Sequence, residues 1–434
     1  MTFSMRCLVF FLLCTTALSA AEPRVVTLEQ AYDMVLETDQ SVKIAWYAAK
    51  KANLEPQFAL TRMRPTLSAG ASGERQNRSG SNPLVRSSSG QADITLEQPI
   101  FDLTVFPAFR RGKLVSKSAE LQYRALLREV LLSVTTAYYE VLQQEQIISV
   151  NTQGVQLAQE NVDVAEKRSR AGEVTRTDVL RATASFQENK RALIESTSIL
   201  DVRRNVLANL LNIDPAVQTV MVKEPGEQIT NPAKFDVLLE RAYAHREDLQ
   251  AQALVIQQDV ESRKEIRAGY APKVSAQLGA QTSGSNSSTT NGTDNHSWQA
   301  VINVNIPFLT GGQRELDIKV AGYQIEQSKL DYENLRKSIQ EEVKNAWVTV
   351  RTLTETIIAL KAQVEAAQQG YQDILSQYKA GTTKSIDVLD ALQSLNDARK
   401  DLAVQSYGYQ VALRKVEQVS GVFQEPRVSQ AIKP

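Results

Sequence analysis

The stretch RSRAGEVTRTDVL (Arg168–Leu180) is matched by QYKAGTTKSIDVL (Gln377–Leu389), which begins 377 − 168 = 209 residues later. The correspondence extends upstream, where an offset of 207 relates Pro65 to Pro272. An offset that drifts by only two residues over such a distance indicates a duplicated unit with short insertions in its loops. The fold is therefore one structural unit used twice, and we expect the function to depend on both copies.

Residues 1–21 are typical of a secretory signal peptide. Arg6 is the only charged residue before Glu22, and the apolar run from Cys7 to Leu18 is too short to span a bilayer as a helix. Both cysteines of the sequence lie in this segment. The mature chain is therefore expected to carry none and to be stabilised without disulfides.

Charge and composition argue against several functional classes. Lys and Arg together number 49, as do Asp and Glu, and without a basic face the chain lacks the signature of a nucleic-acid-binding protein. The two histidines, His245 and His296, lie far from any cysteine, so no metal site is expected. We find no phosphate-binding loop and no nucleophile–base pair, so neither a cofactor nor an enzymatic activity is predicted.

Each copy opens with a helical segment, at residues 28 to about 63 and 237 to about 268, closed by Pro65 and Pro272. Pro56 predicts a kink or break inside the first segment.

The apolar pattern then changes to period two, which predicts β-hairpins at about residues 66–101 and 273–308. Polar, low-complexity loops connect the strands. We expect strands of about 10 residues, the length that crosses an outer membrane on a tilt. Trp298 is expected at the membrane interface. Because no later apolar stretch is long enough for a transmembrane helix, any membrane crossing would use these strands.

A long helix follows each hairpin. Between Val343 and Tyr378 the apolar positions alternate in steps of four and three, which predicts a coiled-coil seam. At a rise of ~1.5 Å per residue, a helix from about residue 313 to 379 would be roughly 100 Å long. Gly172 and Gly381 are expected to end the two long helices in left-handed turns, after which each chain segment returns as a second helix.

The predicted organisation is a signal peptide (1–21), a first unit (22–212), a linker (213–234), a second unit (235–421) and a C-terminal tail (422–434). Two hairpins supply four strands, fewer than the ~8 of the smallest transmembrane barrels. A membrane-spanning form would thus require an oligomer, and a trimer would supply twelve strands.

These features together resemble the TolC-like outer membrane efflux proteins over essentially the whole mature chain. The resemblance is carried by both Ala-Gly turns and the TDVL and IDVLDA segments after them. It is also carried by QPIF (Gln98–Phe101), NIPF (Asn305–Phe308) and HREDL (His245–Leu249). Each motif is weak alone, but their double occurrence in register after a signal peptide is specific.

The resemblance implies a mainly α fold with a transmembrane β part. A homotrimer would form one 12-stranded outer-membrane β-barrel, continuous with a periplasmic α-helical coiled-coil barrel. It further implies a passive exit duct of a tripartite efflux or type I secretion system in the outer membrane of a Gram-negative bacterium. A periplasmic adaptor protein would open the duct and connect it to an inner-membrane pump of the ABC or RND type.

The resemblance also implies roles for individual residues. Asp387 and Asp390 match the pore constriction, where three copies would make an acidic ring. Tyr378 and Asp178 match gate contacts. Thr383 stands where the family often has a basic residue, so the neighbouring Lys384 becomes a candidate substitute. The implied adaptor-docking tips are Arg170, Ala171, Gly172, Lys379, Ala380, Gly381 and Thr382.

Structural alternatives remain open at these positions. The three aspartates also suit the first turn of a helix, where a carboxylate is stabilised by the helix dipole, and Tyr378 continues the coiled-coil seam. Trp298 could fill a core. A periplasmic coiled-coil adaptor is the rival function, but it predicts one long hairpin between globular β-domains, whereas this chain has two hairpins and strands of membrane length.

Overall fold

The computed structural model describes residues 24–78, 85–214, 220–222, 233–287 and 290–422. Within these ranges the chain forms nine helices and six strands. The predicted signal peptide and most of the predicted linker and tail lie outside the described residues.

The elements follow the predicted order. The first copy comprises β1 (Arg24–Val26), α1 (Leu28–Thr38), α2 (Gln40–Ala52), α3 (Glu55–Thr61), β2 (Thr66–Arg78), β3 (Val85–Phe101), α4 (Val105–Arg170) and α5 (Arg176–Leu210). After β4 (Val220–Val222), the second copy comprises α6 (Phe235–His245), α7 (Glu247–Ala268), β5 (Lys273–Ser287), β6 (Thr290–Asn305), α8 (Gln313–Lys379) and α9 (Ser385–Val419). No helix in the described ranges is both long and apolar enough to cross a membrane.

The opening helical segment is divided into three helices by local signals. Asp39 caps α2, because its carboxylate accepts a hydrogen bond from the Val42 amide at 2.9 Å. Pro56 lies in the first turn of α3, where its missing N–H is tolerated. The break expected from Pro56 is confirmed. The second copy divides similarly, with Arg246 standing between α6 and α7.

The strands are longer than predicted. β2, β3, β5 and β6 contain 13, 17, 15 and 16 residues, so the expected length of about 10 was wrong. Polar residues assigned to loops, such as Ser87–Ser89, continue the ladder and pair with β5. Ladder hydrogen bonds join backbone groups, so the pairing continues beyond the point where the apolar alternation stops.

The four long strands form one antiparallel sheet in the order β2-β3-β5-β6. Directly paired residues point to the same face of a sheet. The register therefore collects the apolar residues on one face: Leu67, Ala69, Ala71, Ala92, Ile94, Leu96, Val274, Ala276, Leu278, Ala280, Trp298, Ala300, Ile302 and Val304. The other face is mostly polar, with Asp93, Thr95, Gln277, Gln281, Gln299 and Asn303.

Contacts divide the chain into two compact units. The described residues of 24–38, 134–222 and 357–407 belong to the first unit, and those of 39–133, 233–356 and 408–422 belong to the second. α4 and α8 contribute residues to both.

The first unit contains both helix turns. Its buried cluster combines the C-terminal half of α8 with α9: Tyr371, Tyr378, Val388, Leu392 and Leu395, together with Ala158 of α4. The parallel strands β1 and β4 also belong to this unit, and the Tyr138 hydroxyl donates to the Val26 carbonyl oxygen at 3.0 Å.

The second unit contains the sheet and the N-terminal halves of α4 and α8. Ile339, Val343 and Val350 of α8 are almost fully buried, as the predicted seam requires. Ion pairs join α4 to α7, including Arg110 with Glu261 at 2.8 Å and Arg128 with Glu247 at 2.6 Å. The seam continues in the first unit, so the four–three pattern predicted the buried side of α8 correctly.

Candidate functional site

The two long helices, α4 and α8, each end in a turn of the same type. Gly172 and Gly381 have φ values of +75° and +83°, in the left-handed region that suits glycine. The Glu173 amide donates to the Arg168 carbonyl at 2.9 Å, and the Thr382 amide donates to the Gln377 carbonyl at 3.0 Å. Both turns are Schellman motifs, which satisfy the last carbonyls of a helix and let the chain reverse. The predicted left-handed turns are confirmed.

Asp178 stabilises the start of α5. One of its carboxylate oxygens accepts from the Thr175 amide at 3.0 Å and from the Thr175 hydroxyl at 2.7 Å. The Asp178 amide donates to the Thr175 hydroxyl oxygen at 3.3 Å, which completes a capping box. The Thr175 hydrogen bonds hold the pKa of the Asp178 carboxyl below its usual value, with smaller effects from the charges of Arg181 and Arg168.

Asp387 occupies the equivalent position at the start of α9. Its Oδ2 accepts from the Thr383 hydroxyl at 2.7 Å and from the Lys384 amide at 3.1 Å. The Thr383 bond contributes most to lowering the pKa of the Asp387 carboxyl, followed by the Lys384 amide and then the Lys384 charge. Thr383 thus fills the position of the missing basic residue with a neutral donor to Asp387.

Asp390 lies one helical turn beyond Asp387 and is exposed to solvent. The i, i+3 spacing places the two carboxylates on one side of α9. The structure therefore brings Asp387, Asp390, Thr383 and Lys384 together within the first turns of one helix.

Tyr378 is enclosed within the single chain. Its side chain is 2% exposed and packs in the cluster that contains Val388 and Leu392. Its hydroxyl oxygen is buried without a hydrogen-bond partner among the described residues. In this chain the ring is part of the coiled-coil packing, as the structural alternative predicted.

Arg168 connects the two turns and was missed by the sequence reasoning. Its guanidinium carbon lies 4.7 Å from the centroid of the Tyr378 ring, and Nη1 donates to the Tyr378 backbone carbonyl. Nε donates to the Glu173 carboxylate at 2.9 Å. The Arg168 side chain is only 13% exposed. The two copies differ at this position, since Gln377 corresponds to Arg168. This difference between the copies is the one sequence feature that could have drawn attention to Arg168.

The predicted docking tips are open to solvent. All seven residues are exposed: Arg170, Ala171, Gly172, Lys379, Ala380, Gly381 and Thr382. Arg170 makes one ion pair along its own helix, with Glu166 at 3.3 Å. Ala171 precedes Gly172 and Ala380 precedes Gly381, so the backbone at both glycines is accessible to another protein.

Trp298 lies on β6 in the other unit. It is paired with Ala280 on the apolar face of the sheet and is 82% exposed in the single chain. It therefore does not fill a core within the described residues. Its assignment to a membrane interface stays a prediction.

The geometry favours a mechanical role for the turns. No group of His, Cys, Asp and Glu side chains suited to holding a metal ion occurs in the described part of the chain. The charged groups at the turns cap helices and connect the two helical hairpins, α4–α5 and α8–α9. When these contacts form they hold the ends of the helical hairpins together, and when they break the ends can separate.

Residues 31–212 and 238–422 match the family described as outer membrane efflux protein. The chain belongs to this family. Its two matched segments correspond to the two repeats. The family is one of transport proteins, and this member is an outer-membrane efflux channel protein.

Curated relatives and a solved structure agree with the family. The chain is 23% identical to outer membrane protein TolC of Escherichia coli over 355 residues, covering 79% of this chain and 71% of the relative. It is 21% identical to the alkaline protease secretion protein AprF of Pseudomonas aeruginosa, covering 76% and 69%. The crystal structure of the outer membrane protein VceC of Vibrio cholerae superposes with a TM-score of 0.75 at 18% identity, covering 92% of this chain and 97% of that one. This member of the family thus has the helical fold with a small antiparallel sheet seen in that structure.

Proposed function

We propose that three copies of this chain form a gated exit duct of a tripartite efflux or type I secretion assembly. The main support for this proposal is the four-stranded sheet of β2, β3, β5 and β6. One face is mostly apolar, and its residues Leu67 and Ile302 are 72% and 70% exposed in the single chain. An uncovered apolar face on strands of 13 to 17 residues suits lipid contact.

The order of the strands supports the trimer. β2 and β6 are the end strands of the described sheet, so each presents one row of unpaired backbone groups. Such groups cannot face lipid without a partner. Pairing β6 of one copy with β2 of the next satisfies both edges, and three copies supply twelve strands in a closed β-barrel.

The helix turns are the proposed gate. In a trimer, three copies of Asp387 and Asp390 would surround the periplasmic mouth, where an acidic ring favours cations over anions. The exposed tips around Gly172 and Gly381 are the proposed docking surface for a periplasmic adaptor. Adaptor binding would move the hairpin ends apart, and an inner-membrane pump of the ABC or RND type would deliver the substrate through the adaptor.

Single-channel recording in a planar bilayer tests this function. The wild-type trimer should give a small, cation-selective conductance. Replacing Asp387 and Asp390 together by Ala should raise the conductance or reduce its selectivity, whereas Asp401→Ala, an exposed aspartate further along α9, should change neither. Absence of any conductance from folded trimer would refute the duct. An unchanged double variant would refute the acidic mouth.

Membrane fractionation separates the duct from the rival adaptor function. The mature protein should sediment with the outer membrane and resist extraction at alkaline pH, because its sheet is inserted. Sedimentation with the inner membrane would support a periplasmic adaptor instead.

A further inference from the structure

We propose that Arg168 is a positioning residue that clasps the two helix turns of one protomer together and thereby holds the gate shut. The gating role rests on the proposed function; the clasp itself is a property of the single chain. Arg168 lies in the last turn of α4, and among the described residues it binds Glu173 and Tyr378, which lie within three positions of Gly172 and Gly381 respectively.

Three contacts define the clasp. The guanidinium lies over the Tyr378 ring and donates to the carbonyl of the same residue. Nε of Arg168 forms an ion pair with a carboxylate oxygen of Glu173 at 2.9 Å, and this contact from the first turn holds the guanidinium in place. With only 13% of the side chain exposed, the cation–π contact is largely shielded from water, which strengthens it.

The position of Gly381 adds a fourth constraint. A Cβ built on Gly381 would lie 3.4 Å from Nη2 of Arg168, so the guanidinium is packed directly against the second turn. The carbonyl bond, the ring contact and this approach all involve residues within three positions of the turn. Arg168 therefore bridges residues 210 positions apart in sequence (378 − 168).

Arg168 contacts Tyr378 without using the Tyr378 hydroxyl. The hydroxyl is buried and has no hydrogen-bond partner among the described residues. The ring and the backbone carbonyl carry the contact instead. Arg168 thus supplies, from the first hairpin, the cation that Thr383 does not supply in the second.

Distance measurements between spin labels test the clasp directly. Labels at Thr177→Cys and Gln377→Cys, both exposed positions, report the separation of the two turns. The mature chain is expected to contain no other cysteine. Mixing labelled with excess unlabelled subunits restricts the signal to distances within one protomer of the intact trimer.

We expect Arg168→Ala to raise the population of separated turns by roughly tenfold, the effect of losing a desolvated cation–π contact and its hydrogen bonds. Arg168→Lys keeps the charge but not the planar fork, so a smaller increase is expected. Arg191→Ala is the matched control, because that side chain of α5 is 62% exposed and pairs with Glu195 along its own helix at 2.6 Å. It should leave the distances unchanged.

Tyr378→Phe distinguishes this proposal from the gate contact implied by the family resemblance. Phenylalanine keeps the ring under the guanidinium and removes only an unpartnered hydroxyl, so the distances should not change. A longer distance in Tyr378→Phe, or an unchanged one in Arg168→Ala, overturns the clasp. If Arg168→Ala does not assemble, Glu173→Gln replaces it, since it removes only the exposed ion-pair partner; an unchanged distance there also counts against the clasp.

Conductance of the same preparations separates the two proposals. A higher conductance in Arg168→Ala, together with separated turns, supports both the clasp and its gating role. Separated turns without any change in conductance establish the clasp but refute the turns as the gate.

Discussion

Replacing Gly381 by alanine should destabilise the second helix turn without disturbing its packing. The residue has φ +83°, and a Cβ there would make only an ordinary contact with Arg168 at 3.4 Å. The cost is therefore backbone strain, about 1–2 kcal/mol for an L-residue in the left-handed region. That free energy corresponds to a roughly 5- to 30-fold increase in the opening equilibrium of the turn.

Hydrogen–deuterium exchange measures this opening. The Thr382 amide, which donates to the Gln377 carbonyl at 3.0 Å, should exchange faster in Gly381→Ala by the same 5- to 30-fold factor, about 1–2 kcal/mol. Gly172→Ala should act likewise on the Glu173 amide of the first turn, since Gly172 has φ +75° and open space around it.

Gly370→Ala provides a control of opposite sign. Gly370 lies inside α8 with ordinary helical φ, and no atom outside its own helix backbone lies within 4 Å of the place a Cβ would take. Alanine there should therefore stabilise the helix by about 0.5–1 kcal/mol. Unchanged exchange at Thr382 in Gly381→Ala would refute the strain argument. Equal acceleration in Gly370→Ala would show that any added methyl group loosens this region.

Three further outcomes are expected. Ile302→Arg should reduce carbonate-resistant trimer, since a cation on the lipid face costs about 2–4 kcal/mol near the bilayer centre, whereas Asn303→Arg on the polar face should not. The pKa of the Asp387 carboxyl is lower in the folded chain than in the unfolded chain, so this carboxylate stabilises the start of α9 at pH values above its ordinary pKa of 3.8. The stabilisation is lost as the pH falls through the folded pKa. Protection of the amides of the second turn from hydrogen exchange should decrease over that range, and it should decrease less in Asp387→Asn. Gly112→Ala should lower the melting temperature, because its Cβ would lie 2.7 Å from the Pro56 backbone nitrogen and force α3 from α4.

Prolines and glycines made much of the fold predictable. β2 begins at Thr66, directly after Pro65, and α8 ends at Lys379, two residues before Gly381. Both residue types act through their own backbone geometry, so their effect is local and readable from the sequence. The seam of α8 was equally readable, because helical periodicity directly determines which side is buried.

Strand length was not predictable in the same way. The apolar alternation marks only the part of a strand that suits an apolar environment, whereas Thr290–His296 and Ser87–Gln91 extend the sheet through backbone pairing. Their serine, threonine and asparagine side chains are typical of loops. A neighbouring strand, rather than local preference, determines that they are extended.

The candidate site was predictable only within each helix. The positions of Asp178 and Asp387 as first-turn carboxylates follow from local spacing, and the structure gives both a capping hydrogen bond. Arg168 reads locally as a cation at a helix C-terminus. Its contact with Tyr378 depends on the alignment of two separate hairpins, which no local pattern contains.

The short sheet of β1 and β4 has a consequence for how the chain matures. It pairs Arg24 with Val220, so forming it closes a loop of 220 − 24 = 196 residues. The entropy of that closure is about 5 kcal/mol by the logarithmic loop law. If residues 1–21 are a signal peptide, as predicted, the chain crosses the inner membrane N-terminal side first, and β1 must wait for its partner β4 until the whole first repeat has followed. Residues 24–26 would then reach the periplasm early but could form their native pairing only after β4 had followed.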